Sequence, residues 1–331
     1  MLFVLLAMCY LLTIMPELPE VQTTVDGLNK TVVGKRITSV WTDWPKMFRP
    51  PSNTRTSGDY FTRFKKEVAG KKILSASRRG KHVLINLSDD TTIIIHMKMT
   101  GHLLYGKYSK TYDKRLTTNK KKKEMWIPVD KKSPLNDPFN RFVHAVFILS
   151  GGKHLAFSDT RKFGKIATAK TSELAHSPHL AHLGPEPLEK NFDYDIFAER
   201  LSKAPRGKIK SVLMNQVVIA GIGNIYSDEM LWRAGIHPEA RVYDISYKKL
   251  RELYRAMKEV LRGGIEFGGD SMSDYRNVFG ERGHFQERHR AYQRKGEKCE
   301  KRGCGGVIIR KMIGGRSAHF CPVHQKQKFK N

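Results

Sequence analysis

Three cysteines and a histidine near the C-terminus constrain the fold of this chain most. Cys299, Cys304, Cys321 and His324 follow the pattern C-x4-C-x16-C-x2-H. Two close pairs of soft ligands separated by a short hairpin can enclose one tetrahedral Zn²⁺. A module this small buries too little apolar surface to fold alone, so a metal would hold it together. Because four protein ligands leave no open coordination position, we expect one structural zinc ion; the alternative is three unrelated thiols and a histidine.

The net charge indicates a polyanionic partner. The 331 residues include 60 Lys and Arg against 32 Asp and Glu, which leaves +28, and the partners that fit are DNA, RNA or an anionic membrane surface. A hydrophobic content of 40% excludes wholesale disorder. No apolar stretch reaches the roughly 18 residues of a transmembrane helix, and four cysteines exclude a disulfide-rich secreted scaffold.

The first 15 residues are almost wholly apolar and contain no Lys or Arg. Three interpretations are open: an extension upstream of a true start at Met15, a membrane or targeting segment, or a buried element of the fold. The segment is too short to span a bilayer comfortably and lacks a small-residue cleavage site. We favour the first interpretation, in which residues 1–15 are not part of the functional protein.

Hydrophobic periodicity divides the rest of the chain into β-rich, helical and C-terminal parts. Apolar residues at helical spacing predict a helix over 19–32 and further helices within 191–267. Runs of β-branched residues predict strands within 36–105 and 142–169. Between these strands, 106–133 holds ten Lys and Arg against three acidic residues, which predicts a long, mobile basic insertion.

A glycine-rich turn in the helical part predicts an anion site. Gly221 and Gly223 allow a tight turn before a helix that starts after Asn224, and the N-terminus of a helix presents unpaired N–H groups. Lys210 and Asn224 could then clamp successive phosphates. The alternative is a plain helix-packing turn, which the charge of +28 disfavours.

Five motifs in one order carry a family resemblance: PELPEV at 16–21, RRGK at 78–81, DTRKFG at 159–164, GIGNIY at 221–226 and the cysteine module. In this order they resemble the Fpg/Nei family of DNA glycosylases, and most of all its oxidised-purine branch. The resemblance implies an α+β multidomain fold: an N-terminal β-sandwich with flanking helices, a helix–two-turn–helix domain and a C-terminal β-hairpin zinc finger.

Composition and the resemblance together give the domain boundaries. Composition predicts the basic insertion at 106–133 and a linker at 172–188. The resemblance makes 16–171 a catalytic β-sandwich domain, 189–267 a helix–two-turn–helix DNA-binding domain, 268–290 a lesion-capping region and 291–331 a zinc finger.

The family's chemistry maps onto four residues. Pro16 matches the N-terminal proline whose secondary amine attacks C1′ of the damaged nucleotide and forms a Schiff base. Glu17 matches the acid/base carboxylate, and Lys81 matches a lysine that contacts phosphate and assists base loss. Arg316, after the predicted turn at Gly314-Gly315, matches a zinc-finger arginine that binds phosphate beside the lesion. Without the resemblance, these residues would be read as helix-terminal acids and surface cations.

Further residues match positions that contact DNA. A flipped base leaves a gap in the stack that side chains must fill, and Met99, Arg161 and Phe163 match these void-filling residues; core packing is the alternative for the two apolar ones. Phosphate-binding positions of the helix–two-turn–helix element match Arg206, Lys210 and Asn224.

The resemblance predicts function and setting. Residues 268–276 resemble the base-capping region of the oxidised-purine branch, which favours excision of 8-oxoguanine and formamidopyrimidines from duplex DNA followed by abasic-site cleavage. The alternatives are an oxidised-pyrimidine glycosylase of the endonuclease VIII branch, a non-catalytic damaged-DNA-binding paralogue and a membrane-tethered basic protein. We expect a monomer that binds no membrane, in a cytoplasmic or nucleoid setting. The C-x4-C pair and His324 depart from the family's usual cysteines.

Overall fold

The computed structural model describes residues 15–50, 60–112 and 124–327. Its twelve strands in these ranges are β1 (Ile37–Thr42), β2 (Ile73–Arg79), β3 (His82–Leu87), β4 (Thr91–His96), β5 (Gly101–Gly106), β6 (Tyr108–Tyr112), β7 (Glu124–Pro128), β8 (Val143–Leu149), β9 (His154–Asp159), β10 (Lys165–Lys170), β11 (Ile309–Ile313) and β12 (Arg316–Phe320).

Two four-stranded antiparallel sheets form a sandwich in the N-terminal part. Their strand orders are β1-β8-β9-β5 and β10-β4-β3-β2. The inner faces share one apolar core, in which Ile85 and Ile93 of one sheet and Phe147 and Phe157 of the other are buried. Side chains alternate across each strand, so the β-branched runs seen in the sequence line this core. The predicted sandwich is confirmed.

Six α-helices lie in the described residues: α1 (Leu18–Thr31), α2 (Tyr60–Val68), α3 (Tyr194–Ser202), α4 (Ile209–Met214), α5 (Asn224–Ala234) and α6 (Tyr247–Glu266). The helices predicted at 19–32 and within 191–267 are therefore confirmed. Helices α3 to α6 surround a second apolar core. None of the helices in these ranges is long and apolar enough to cross a membrane.

Helix α1 joins the two cores. Its first residue, Leu18, packs in the helical core, whereas Val21, Val25 and Leu28 pack in the sandwich core. The Leu18 backbone N–H also donates to Gly221 O at 3.0 Å. Residues 15–17, the described residues before Leu18, therefore lie at the junction of the two domains.

The segment predicted to be a linker, 172–188, packs against the sandwich and is not simply a connection between domains. Leu180 is buried against Leu84 and Ile94 of the second sheet. Glu186 is also buried, and its carboxylate pairs with two arginines of β2. Composition alone suggested a linker because Ser, Gly and Pro are typical of loops, but long-range contacts make this loop part of the domain junction.

The described ends of the basic insertion form an antiparallel hairpin of β6 and β7. Trp41 Nε1 donates to Glu124 Oε2 at 2.9 Å, and Lys110 Nζ pairs with Glu124 Oε1 at 2.8 Å. These ends are thus ordered strands, whereas the sequence predicted a mobile insertion. The lysine run at 120–123 lies outside the described residues, as do residues 1–14.

Strands β11 and β12 pair as an antiparallel hairpin near the C-terminus. Gly314 and Gly315 form its turn with φ of 56° and 74°, values that favour glycine. The predicted hairpin is confirmed, and its first strand begins at Ile309.

Candidate active site

The domain junction contains a cavity of about 390 Å³. Four elements meet there: the N-terminus of α1, the β2–β3 hairpin, the turn before α5 and the start of β12. Basic groups outnumber acidic ones in its lining. The lining side chains include four of the predicted site residues, Glu17, Lys81, Asn224 and Arg316.

Glu17 and Lys81 form the buried acid–base pair of this cavity. Their exposed fractions are 2% and 6%. Burial raises the pKa of Glu17, and the opposing influence of the Lys81 charge is smaller. Burial likewise lowers the pKa of Lys81, with the Glu17 charge opposing it. Both shifts favour neutral forms, which suits proton transfer near neutral pH.

The Glu17 carboxylate has one satisfied oxygen and one unsatisfied oxygen. Oε1 accepts the backbone N–H of Ile225 at 3.0 Å, at the N-terminus of α5. Oε2 is buried and has no hydrogen-bond partner among the described residues. A buried acceptor without a partner is costly, so this oxygen is available to a substrate or to a proton. Pro16, the residue before Glu17, is buried beside it.

Gly223 allows this close approach. A Cβ at this position would lie 2.3 Å from Glu17 Cδ and 2.5 Å from Lys81 Nζ. The glycine-rich turn therefore makes room for the catalytic pair, in addition to presenting the helix N-terminus. Gly221, with φ of 89°, makes the turn itself.

Glu186 holds the hairpin that carries Lys81, and the sequence interpretation missed it. Its carboxylate lies 2.5 Å from Arg78 NH1 and 3.0 Å from Arg79 NH1. It also accepts the Gly80 backbone N–H at 2.6 Å. The GPEP sequence around Glu186 did not indicate this ion pair, because its partners lie more than 100 residues away in sequence.

A second buried network lies behind Glu17. Glu20 Oε2 accepts the Glu17 backbone N–H at 2.7 Å, and Glu20 Oε1 accepts from Tyr226 OH at 2.6 Å and from the Asp270 backbone N–H at 2.7 Å. Burial, with the Glu17 charge adding to it, raises the pKa of Glu20 to about 7. Asp270 in turn lies 2.8 Å from His289 Nε2. The sequence indicated only a helix-terminal role for Glu20.

The predicted void-filling residues lie close together. The buried carboxylate of Asp159 organises the 159–164 loop: it accepts the Arg161 N–H at 3.2 Å and the Gly164 N–H at 2.7 Å. Thr100 Oγ1 accepts the Arg161 N–H at 3.1 Å, which ties the loop to the residue after Met99. Phe163 is 45% exposed, so it is not a core residue. Arg161 packs over its ring at 4.7 Å.

Lys210 is not placed to clamp a phosphate, contrary to the prediction. It is 1% exposed, and its ammonium lies 2.5 Å from Asp228 Oδ1. Asp228 Oδ2 accepts the His319 backbone N–H at 2.9 Å, so the pair connects α4, α5 and β12. Lys210 is thus ion-paired with a buried carboxylate, and we assign this lysine a positioning role.

The surroundings of Arg316, Asn224 and Arg206 differ, and their contacts with DNA stay a prediction. Arg316 begins β12, lines the cavity and contributes to the lowered pKa of Lys81. Asn224 also lines the cavity, and its side-chain Oδ1 is buried without a partner in the described structure. Arg206 is exposed in the loop before α4.

Three of the four predicted metal ligands are brought together. The Sγ atoms of Cys299, Cys304 and Cys321 all lie within 4.8 Å of one another, and Trp232 Nε1 donates to Cys299 Sγ at 3.3 Å. Clustered thiols of this kind suit Zn²⁺.

His324 is not part of the thiol cluster, and its role as the fourth ligand stays a prediction. Its Nε2 is 2.7 Å from the Trp232 carbonyl, a contact that turns the ring toward α5. Donation from Nε2 leaves the lone pair on Nδ1, which is the tautomer that a metal-binding histidine needs. The residue types therefore fit zinc, but the structure gathers only the three thiols.

Comparison with known proteins identifies the family. Residues 15–166 match the model of the formamidopyrimidine-DNA glycosylase N-terminal domain, and residues 183–276 match that of its H2TH domain. The formamidopyrimidine-DNA glycosylase of Pelotomaculum thermopropionicum is 37% identical over 314 residues, which cover 95% of this chain and 100% of that protein. The enzyme of Bacillus subtilis is 34% identical over 314 residues with the same coverage.

Solved structures agree with this. Lactococcus lactis Fpg (MutM) bound to DNA that contains N7-benzyl-Fapy-dG has a TM-score of 0.75 and 32% identity, covering 94% of this chain and 100% of that one. The same values describe its complex with abasic-site DNA. The chain belongs to the formamidopyrimidine-DNA glycosylase family. It is therefore a base-excision-repair enzyme of the glycosylase/abasic-site lyase class, and its partner is DNA.

Proposed function

We propose that this chain excises oxidised purines, 8-oxoguanine and formamidopyrimidines, from duplex DNA through a Schiff base on Pro16 and then cleaves the abasic site by β/δ-elimination. The observation that carries the proposal is the buried Glu17–Lys81 pair, in which Glu17 directly follows Pro16 in the sequence. The unpaired Glu17 Oε2 supports an acid/base role. The Arg316 and Lys98 side chains in the same cavity supply positive charge for the flanking phosphates.

The first step needs a free amine at Pro16. The nitrogen lone pair attacks C1′, and the N-glycosidic electrons leave with the base, which takes up the proline N–H proton. A proton from Glu17 to the ring oxygen then lets the nitrogen lone pair open the sugar to an iminium. An α-amine has a pKa of about 8, so much of it is unprotonated near neutral pH. A nitrogen in the Met15–Pro16 amide has no such lone pair. We therefore propose that the active form begins at Pro16, after start at Met15 and removal of that methionine.

Elimination then cleaves the strand. Loss of a C2′ proton from the iminium gives an enamine, and its collapse breaks the C3′–O bond and releases the 3′ phosphate. A second elimination breaks the C5′–O bond in the same way. Lys81, whose pKa burial lowers, lines the same cavity as Glu17 and would accept and return these protons.

The remaining assignments follow the geometry. Met99, Arg161 and Phe163 fill the gap left by the flipped base, and Arg206 and Asn224 contact phosphates. The region 268–290 caps the lesion. Met272 is 44% exposed there, whereas Asp270 and Tyr275 on either side of it are buried and hydrogen-bond to Glu20 of α1. We propose that the protein acts as a monomer on the nucleoid in the cytoplasm.

We also propose that one structural Zn²⁺ is held by Cys299, Cys304 and Cys321 with His324 through Nδ1. The ion would fix the hairpin that presents Arg316. Chelation should release one zinc per chain and weaken binding to abasic-analogue duplex, while the β-sandwich stays folded by circular dichroism. A protein without zinc that binds this DNA normally would contradict the assignment.

The test of the proposed reaction is borohydride trapping on duplex DNA with one 8-oxoguanine opposite cytosine. A form beginning at Met15, with removal of the methionine verified by intact mass, is compared with the full chain. A covalent adduct mapped to Pro16 only in the processed form is expected. Adducts on oxidised-pyrimidine DNA instead would move the substrate to the endonuclease VIII class. No adduct on these duplexes or on abasic DNA from folded, processed protein would overturn the mechanism and leave a DNA-binding paralogue.

A further inference from the structure

We propose that a patch of one tryptophan and four cations beside the 159–164 loop is a second DNA-backbone contact, outside the lesion cavity. We call it the Trp44 patch, and it consists of Trp44, Lys46, Arg49, Lys162 and Lys165. The inference rests on one part of the proposed function, namely that the 159–164 loop enters the duplex. Its ligand is the sugar-phosphate backbone flanking the step that this loop opens.

Two lysines flank the indole of Trp44. Lys162 Nζ lies 4.6 Å from the ring centroid, and Lys46 Nζ lies 5.5 Å from it. An ammonium near an indole face is held by cation–π attraction. The half-buried ring therefore fixes two positive charges that would otherwise be on freely rotating side chains, which lowers the entropy cost of binding a phosphate.

The loop that carries Trp44 is itself well anchored. The Trp44 N–H donates to Thr42 Oγ1 at 3.0 Å, and Trp44 O accepts the Met47 N–H at 3.1 Å. The Arg49 N–H donates to Ile166 O at 3.0 Å, which joins the loop to β10. The patch is therefore a preformed surface rather than a set of independent side chains.

The patch is continuous with the residues expected to enter the duplex. Lys162 lies between Arg161 and Phe163, and its φ of 58° turns it away from them toward Trp44. The Asp159 carboxylate fixes this loop through the N–H groups of Arg161 and Gly164. The Lys162 ammonium and the Phe163 ring are therefore carried by the same fixed loop, so a duplex entered by Phe163 is brought up to the Trp44 patch.

The positive charge of the patch is only partly offset by the described residues of its loops. Burial, and after it the charges of Arg49 and Lys98, lower the pKa of Lys165, whereas the weaker influence of the Asp159 charge raises it. Lys98 also lines the lesion cavity, which links the two regions. The other described carboxylate of these loops, Asp43, pairs with His144 at 2.8 Å.

This combination fits nucleic-acid backbone better than a protein partner. Phosphates repeat at regular spacing along a strand, and a row of cations next to a cavity of the same sign can follow that spacing. An indole adds a face on which a sugar or an unstacked base can pack.

The test is the salt dependence of binding to a duplex that contains a tetrahydrofuran abasic analogue, which the enzyme cannot process. Kd is measured for the protein beginning at Pro16 between 50 and 300 mM KCl, in wild type and in the double variant Lys46→Gln/Lys162→Gln. Two lost phosphate contacts should lower the slope of log K against log[KCl] by about 1.8, since each contact contributes about 0.9. The variant Trp44→Leu should give a smaller loss in the same direction.

The matched control is Lys170→Gln/Lys203→Gln, which removes the same charge. Both control lysines are exposed and pair with neighbouring glutamates, so the slope and the excision rate should stay at the wild-type values. An equal slope change in both double variants would mean a net-charge effect only and would overturn the proposal, as would no change in either. Excision by the wild type reports on the proposed function separately, because the salt slopes are read without turnover.

Discussion

The substitution Gly223→Ala tests whether the close contact at the domain junction is needed for the reaction. The new Cβ would lie 2.3 Å from Glu17 Cδ and 2.5 Å from Lys81 Nζ, whereas carbon atoms in contact are about 3.5 Å apart. One partner must therefore move by about 1 Å. A displacement of this size in a catalytic group costs roughly 100-fold in rate. The backbone adds no strain, because φ at Gly223 is −136°.

The assay is single-turnover excision of 8-oxoguanine, with borohydride trapping on abasic DNA as a second readout. We expect both rates to fall about 100-fold, with the Kd for abasic-analogue duplex and the unfolding midpoint little changed. Gly305→Ala is the control, because a Cβ there meets nothing within 4 Å. Wild-type rates in folded Gly223→Ala would refute the assignment of the Glu17–Lys81 pair. An unfolded variant would instead be followed by Glu17→Gln and Lys81→Gln with the same readouts.

Three further predictions concern stability and are measured by denaturant unfolding. Gly263→Ala should raise the free energy of unfolding by about 1 kcal/mol, because a Cβ there meets only one atom, at 3.8 Å. Gly264→Ala should lower the free energy of unfolding by about 1–3 kcal/mol, because its Cβ would lie 2.5 Å from Tyr226. Equal effects of the two substitutions would contradict this packing. Glu186→Gln should cost about 3 kcal/mol by leaving buried arginine charge unpaired, and it should slow excision more than it weakens binding; an unchanged rate argues against its hold on the hairpin. Burial lowers the pKa of His102 to about 4, so on acidification this histidine is protonated in the unfolded chain before it is protonated in the folded one. About 3 kcal/mol of the free energy of unfolding should therefore be lost as the pH falls from 6.5 to 4. His102→Gln should lose less stability over this pH range, and an identical pH profile of the two proteins would refute the prediction.

The candidate site was predictable wherever a residue's role depends on a local motif. Glu17 follows a proline at the start of a helix, and the glycines at 221 and 223 precede another. Their positions in the structure agree with expectation because a helix N-terminus and a tight turn are built from neighbours in sequence. The strand runs and the hairpin turn were predictable for the same reason.

The roles that local sequence could not decide depend on partners far away in sequence. Lys210 was expected to face phosphate, but it pairs in the interior with Asp228, 18 residues later. The ring of His324 is oriented by the carbonyl of Trp232, 92 residues earlier. A lysine or histidine has the same local signature whether it faces solvent, a metal or a buried partner.

The sequence by itself determined the order of the domains, the pattern of strands and helices, the cysteine spacing and the residues on either side of Pro16. Hydrophobic period and turn residues encode these features locally. Only the tertiary structure decided that 172–188 is a packed support, because Glu186 meets Arg78 across 108 residues of chain. It also decided that Glu20 is a buried acid with a pKa near neutrality, because desolvation depends on everything that packs around the carboxylate and not on its neighbours in sequence.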